Sequence, residues 1–258
     1  MSSPTQLKLD GPNVIDGRIR RRYLIHYLIQ VFISILPGVF MGFWWFDPIV
    51  PYSARLFIPY NWIYWALTPI AAFIAYYIML IWSCIVARIR LGWLKMLHPI
   101  KEGIFLRHPK DKDYKYWCLR NYARLFPGWL AATVPFPWLK VFCNYIMMGV
   151  KVGKNCLLNI GWVSQELVEI GNNVKVHQSA CVLSWYFEGE KLFLKKVVLE
   201  DDVIVGAKSV IYPGCILRKG VVISACSFLM PMSETEPNCT YFGTPAKLVR
   251  RDTDYFKA

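Results

Sequence analysis

From Leu199 to Leu229 an aliphatic side chain returns at every sixth position: Leu199, Val205, Ile211, Leu217, Ile223 and Leu229. Six residues fits neither the 3.6 period of a helix nor the 2.0 period of a plain strand. It predicts a β-solenoid of about three hexads per coil over residues 149–250, each hexad forming one side and turning one aliphatic residue inward. The phase runs backward through Val152, Leu158, Ser164, Ile170, Val176 and Val182, with Ser164 its one polar member. Sixteen residues, Leu183 to Val198, break the pattern, which predicts a loop extruded from a rigid scaffold. Gly153, Gly171, Gly206, Gly214 and Gly220 fall near the ends of hexads, where glycine serves tight corners or positive φ.

The N-terminal third is patterned differently. Tyr23–Phe46 and Trp62–Ala87 contain no Asp, Glu, Lys or Arg, and each exceeds the roughly 20 residues a bilayer-crossing helix needs. Pro37 and Pro69 inside them are tolerated in membrane helices. Trp44, Trp45, Tyr60, Trp62 and Trp65 crowd the ends near the connecting loop, where amphipathic rings favour the interface. The pattern predicts a transmembrane helical hairpin over 23–87. A basic arm (1–22) precedes it and an amphipathic connector (88–148) follows. Pro127, Pro135 and Pro137 are expected to divide the connector into short helical pieces. Those pieces either lie on the membrane surface or pack on the solenoid. Residues 251–258 are a polar tail.

Charge orients the hairpin. The net charge is +13. Residues 88–140 hold eleven basic and three acidic residues, whereas the loop 47–61 holds only Asp47 and Arg55. The positive-inside rule places both termini and the solenoid in the cytoplasm and the short loop outside. The basic excess beside the membrane predicts contact with anionic lipid headgroups rather than nucleic acid. Eight dispersed cysteines with no C-x-x-C pair predict reduced thiols, Cys215 and Cys226 filling the core as small residues.

The hexads, the phrase Pro213-Gly214 and the closing Gly243-Thr244-Pro245-Ala246-Lys247-Leu248-Val249-Arg250 resemble the hexapeptide-repeat acyltransferases with a left-handed parallel β-helix. Val150–Gly153, Leu167–Gly171 and Phe187–Gly189, with the upstream spans, are similar to a membrane-linked branch of that family. It is found as the terminal domain of polylysine and peptide synthetase-like proteins. The resemblance implies a mainly β chain and a homotrimer with grooves between neighbouring β-helices. It implies an acyl group passed from a coenzyme A or carrier-bound pantetheine thioester to a hydroxyl or amine, with no permanently bound cofactor. It also implies a histidine that takes the acceptor's proton.

That branch carries its histidine three residues before the glutamate of the extruded loop, where this chain has Trp185 ahead of Glu188. Indole cannot act as a base. His177 is the only histidine of the solenoid, with an outward position after Val176, and stands either as a substitute base or as an ordinary exposed histidine. Glu188 is either its orienting partner or a solvated loop carboxylate, and Trp185 a wall of the groove. Thr244, Lys247 and Arg250 are placed to meet the donor's phosphates, or the two basic residues face anionic lipid. Glu166 and Glu169 read as surface charges. With one solenoid histidine, no metal site is expected, since zinc catalysis needs about three convergent ligands. Two functions follow: a membrane-bound acyltransferase, or a catalytically inactive scaffold subunit of a membrane complex.

Overall fold

The computed structural model describes residues 17–46, 61–108, 110–158 and 161–251. The basic arm up to residue 16, the outward loop 47–60 with Tyr60, the side chains of Trp62 and Trp65, and the tail from 252 lie outside the described residues.

Two long helices come first, α1 (Gly17–Phe46) and α2 (Asn61–Leu97). Both are long and apolar enough to cross a membrane, by length and composition. They expose Phe32, Phe40, Phe43, Trp44, Ile70 and Phe73, which leaves broad apolar faces uncovered within the chain. Helical content is 42%. The chain is therefore mixed α and β rather than mainly β, because the connector adds helix to the two long apolar helices.

The connector is less broken than its prolines predict. After the short strand β1 (Gly103–Leu106), α3 runs unbroken from Lys112 to Ala132 with Pro127 inside it. A proline there has no N–H for the carbonyl four residues earlier, that of Ala123. Gln30 of α1 supplies the missing donor: its Nε2 lies 2.6 Å from the Ala123 oxygen. Arg90 of α2 in turn donates to Gln30 Oε1 at 2.6 Å. One relay thus ties α1, α2 and α3 and repairs the break a proline would make. Asp111 caps α3, its Oδ1 accepting from the amides of Asp113 and Tyr114. Pro137 opens α4 (Pro137–Val141), where the lost N–H costs nothing, and a π-helical turn (Phe142–Ile146) leads into the coil.

The coil is three parallel ladders visited in rotation. The strands β2 (Lys151–Val152), β4 (Val168–Ile170), β9 (Val197–Leu199) and β12 (Ile216–Leu217) form one ladder. Another is β3 (Trp162–Val163), β6 (Cys181–Val182), β11 (Val210–Ile211) and β14 (Phe228–Leu229). The third is β5 (Lys175–Val176), β10 (Ile204–Val205), β13 (Val222–Ile223), β15 (Thr240–Gly243) and the antiparallel β16 (Ala246–Arg250). Val205 pairs with Ile223 and Ile211 with Leu229, eighteen residues apart, which is three hexads per turn. The inward phase holds, with Leu158, Ile170, Val176, Val205, Ile211, Leu217, Ile223 and Leu229 buried. A second ladder lies inside it, two residues earlier in each hexad: Val168, Val174, Ala180, Val203, Cys215 and Val221.

The glycines act mainly by closeness. A Cβ on Gly206 would sit 2.5 Å from the Ala225 nitrogen of the next coil. The left-handed corners are held mostly by other residues, among them Asn155, Asn173, Asp202, Lys208 and Cys226. Cys226, expected in the core, is exposed on such a corner; Cys215 is the cysteine that fills it.

The interruption is a β-hairpin, β7 (Trp185–Glu188) and β8 (Lys191–Leu194), extended by β1 from the connector. Only these ten residues leave the coil, since the Lys195 amide donates to the Ser184 carbonyl at 3.0 Å and closes the bracket.

Candidate functional site

The face of α3 turned to the coil carries Trp117, Arg120 and Arg124, three and four residues apart and therefore on one stripe. Opposite them the coil presents Glu166. Arg120 reaches its Oε1 at 2.7 Å and Arg124 its Oε2 at 2.8 Å. All three residues are buried, so Glu166 is not the surface charge its sequence context suggests. Burial by itself would raise its carboxyl pKa, but the charges and hydrogen bonds of Arg124 and Arg120 outweigh that and hold it below the ordinary glutamate value. Two guanidinium groups share one carboxylate, and Arg120 Nη1 and Arg124 Nε have no hydrogen-bond partner among the described residues. These two arginines belong to the basic excess assigned above to lipid headgroups; they serve an internal ion pair instead.

Next to this triad the extruded hairpin docks on α3 through rings. Trp117 meets Trp185 at 5.1 Å and Phe187 at 5.6 Å between centroids, both edge-on, and Trp162 meets Trp185 at 6.4 Å. Edge-to-face aromatic pairs contribute beyond their buried area. Arg107 stands over Phe187, 4.9 Å from its centroid. Burial pushes the nearby Cys118 thiol up to about 11, so it is protonated and inert near neutral pH.

The six expected site residues fall in three places. Trp185 and Glu188 occupy the two ends of β7, the first half-buried in the aromatic contacts, the second exposed beside the turn. Thr244, Lys247 and Arg250 share the terminal β15–β16 hairpin and are exposed. His177 is exposed on the corner after β5. Its amide donates to the Val205 carbonyl, and its side chain makes no hydrogen bond to another described residue. It and the terminal hairpin lie along one ladder, with β10, β13 and β15 between β5 and β16. At ~4.8 Å per strand that is about 19 Å, so His177 and Lys247 are not brought together.

Trp117, Arg120, Arg124 and Glu166 were not singled out as a site by sequence reasoning. One signal was present: the 117/120/124 spacing puts an aromatic and two arginines on one face of any helix spanning them. Nothing in the hexads marks Glu166 as their partner.

No protein-family model matches the chain, and no curated protein matches it. Solved structures it resembles include hexapeptide-repeat acyltransferases. One is an N-acyltransferase of Bacillus cereus in complex with a dTDP-amino sugar and coenzyme A, at 19% identity and TM-score 0.33 over 40% of this chain and 61% of that one. The match thus spans less than two thirds of that enzyme. Another is a hexapeptide-repeat acetyltransferase of Vibrio cholerae, at 16% identity and TM-score 0.40 over 48% of this chain and 85% of that one. A third is a maltose O-acetyltransferase of Clostridium difficile, at 17% identity and TM-score 0.37 over 49% of this chain and 82% of that one.

Proposed function

We propose that the chain is a membrane-bound acyltransferase. In this reading the coil is a left-handed parallel β-helix, trimeric, with grooves between neighbours. It takes an acyl group from a coenzyme A or pantetheine thioester and passes it to a hydroxyl or amine at the cytoplasmic face. The observation that carries the reading is the joining of two parts: eighteen-residue coils stacked in register, and a two-helix apolar hairpin fastened to them by α3. The closing Gly243–Arg250 segment supports the donor assignment. Lys247 and Arg250 are exposed on a rigid hairpin, suited to charge-assisted bonds with the donor's phosphates, and Thr244 offers a hydroxyl beside them. Trp185 forms a wall of the groove and Glu188 lines its mouth. Both termini face the cytoplasm, where the basic flanks meet anionic lipid.

The test is coenzyme A release by the purified full chain in lipid vesicles, with acyl-CoA donors from acetyl to palmitoyl and a set of amine and hydroxyl acceptors. Acceptor-stimulated release is expected. Lys247→Ala should raise the KM for acyl-CoA several-fold and leave that for a phosphate-free pantetheine thioester unchanged. The inactive-scaffold reading has one observation in its favour: Trp185 stands where the resembled branch has its histidine, and is packed against Trp117. Absence of release with every donor would leave that reading in place.

A further inference from the structure

Acyl transfer needs a group that takes the acceptor's proton, and no described side chain of this chain hydrogen-bonds the exposed His177 ring. A different histidine is held by a carboxylate and an aromatic ring. His98 follows the last residue of α2, and its Nε2 lies 2.7 Å from Asp113 Oδ1 in the first turn of α3. The ring is stacked on Tyr116, with centroids 4.7 Å apart, so its plane is fixed from a second side. The side chains of His98 and Asp113 are 16% and 24% exposed, shielded yet reachable. Bonding of Nε2–H to the carboxylate sets the tautomer that leaves a lone pair on Nδ1. That nitrogen has no partner among the described residues.

The height of the pair in the molecule points to its substrate. α1 and α2 run antiparallel: Trp45 meets Thr68, Trp82 donates to the Ile33 carbonyl, and Arg90 donates to that of His26. Continuing that register brings His98 level with the first turns of α1, which carry Arg18, Arg20, Arg21 and Arg22. That is headgroup level for a hairpin oriented by its positive charge. Exposed Ile89, Trp93, Met96 and Leu97 share one face of α2 and lead to His98 from the apolar side.

We infer that His98, positioned by Asp113, is the general base for an amphiphilic acceptor that enters from the bilayer, a lipid bearing a hydroxyl or amine headgroup. This rests on the acyl-transfer reading. His98 Nδ1 takes the proton from the acceptor's O–H or N–H as that oxygen or nitrogen bonds to the thioester carbonyl carbon. The tetrahedral adduct collapses with cleavage of the C–S bond, and the thiolate leaving group takes the proton back from Nδ1–H. The products are an ester or amide and a free thiol, and the imidazole is returned neutral.

The experiment uses the full chain in phosphatidylcholine vesicles containing phosphatidylethanolamine or diacylglycerol, with acyl-labelled acyl-CoA donors and label followed into extracted lipid. His98→Ala should lower transfer by about 10²-fold or more, as for loss of a general base, and added imidazole should restore part of it. Asp113→Asn should lower kcat while the donor KM holds, and Asp113→Glu should recover part of the loss. If His98→Ala does not fold, His98→Gln, which keeps a donor for Asp113, carries the same comparison. Transfer by His98→Ala at the unaltered rate overturns the assignment, as does a loss that imidazole does not restore, which reduces the pair to a clamp between helices. Label passing only to water-soluble acceptors removes the bilayer acceptor and leaves acyl transfer standing. No transfer and no thioester hydrolysis by the unaltered chain removes both.

Discussion

In the regular part of the coil each strand of two or three residues finds its partner eighteen residues along, through backbone hydrogen bonds and a ladder of aliphatic side chains. The helices beside it are joined otherwise. Gln30 reaches Ala123, Arg90 reaches Gln30, and Arg120 and Arg124 reach Glu166, all through side chains far apart in the chain. The coil repeats one kind of contact, aliphatic on aliphatic, with a similar neighbour above and below each. The junction is made of single polar contacts in dry surroundings, each without a substitute. The molecule therefore has a periodic half whose stability is distributed and a junction whose stability is concentrated in a few residues.

Four substitutions would break or sharpen that contrast. The largest effect is expected from Leu217→Asp, which puts an unpaired carboxylate among fully buried aliphatic residues of the coil. A loss of more than about 5 kcal/mol would follow, enough to unfold a domain of ordinary stability. Far-UV circular dichroism should show loss of strand signal with the helices retained. Loss of the helical signal as well would mean that the two halves fold as one unit.

Glu166→Gln comes next. It leaves Arg120 and Arg124 buried without a countercharge and should cost about 3–5 kcal/mol by thermal unfolding. Acid should act on the same group with a definite sign. The folded pKa of Glu166 is depressed, so its stabilisation is present above the ordinary glutamate value of ~4.3 and is lost as pH falls below it. The unaltered protein should lose junction stability in that acid range, and the Gln variant should lack that limb.

The smallest effect is expected for Gln30→Leu, which strands the Ala123 carbonyl for roughly 1–3 kcal/mol. Pro127→Ala restores an N–H to that carbonyl. The two changes together should cost less than the sum of each alone, a coupling readable in a double-mutant cycle. Strict additivity would show that the Gln30 bond carries no weight.

The same contrast explains what the sequence disclosed. A six-residue period is visible without knowing which strands pair, because inward positions repeat at a fixed spacing, and it located Leu199 through Leu229 to the residue. The second inward ladder gives no clear period because its members are small and mixed in polarity, Ser209 and Ser227 standing among Val, Ala and Cys. A local rule makes Pro127 a helix breaker, and the rule does not hold here because the missing donor comes from Gln30, 93 residues from Ala123 in sequence. Glu166 looked like a surface charge for the same reason: its neighbours in sequence say nothing of α3. Trp185 and Glu188 were placed on the extruded segment from the length of the interruption, but the docking of that segment on Trp117 depends on two stretches with no common period.

The bond between Ser184 and Lys195 separates the path of the coil from that of the hairpin. Because the coil's path is already closed at its root, residues between those two points can be added, removed or exchanged without changing the pitch of the turns above and below. Closing a longer loop costs little once its ends are held, about 0.6 kcal/mol per doubling of length. The coil thus acts as a fixed rail whose pitch does not depend on the length of the projection, while β1 and Trp117 hold the projection itself in place.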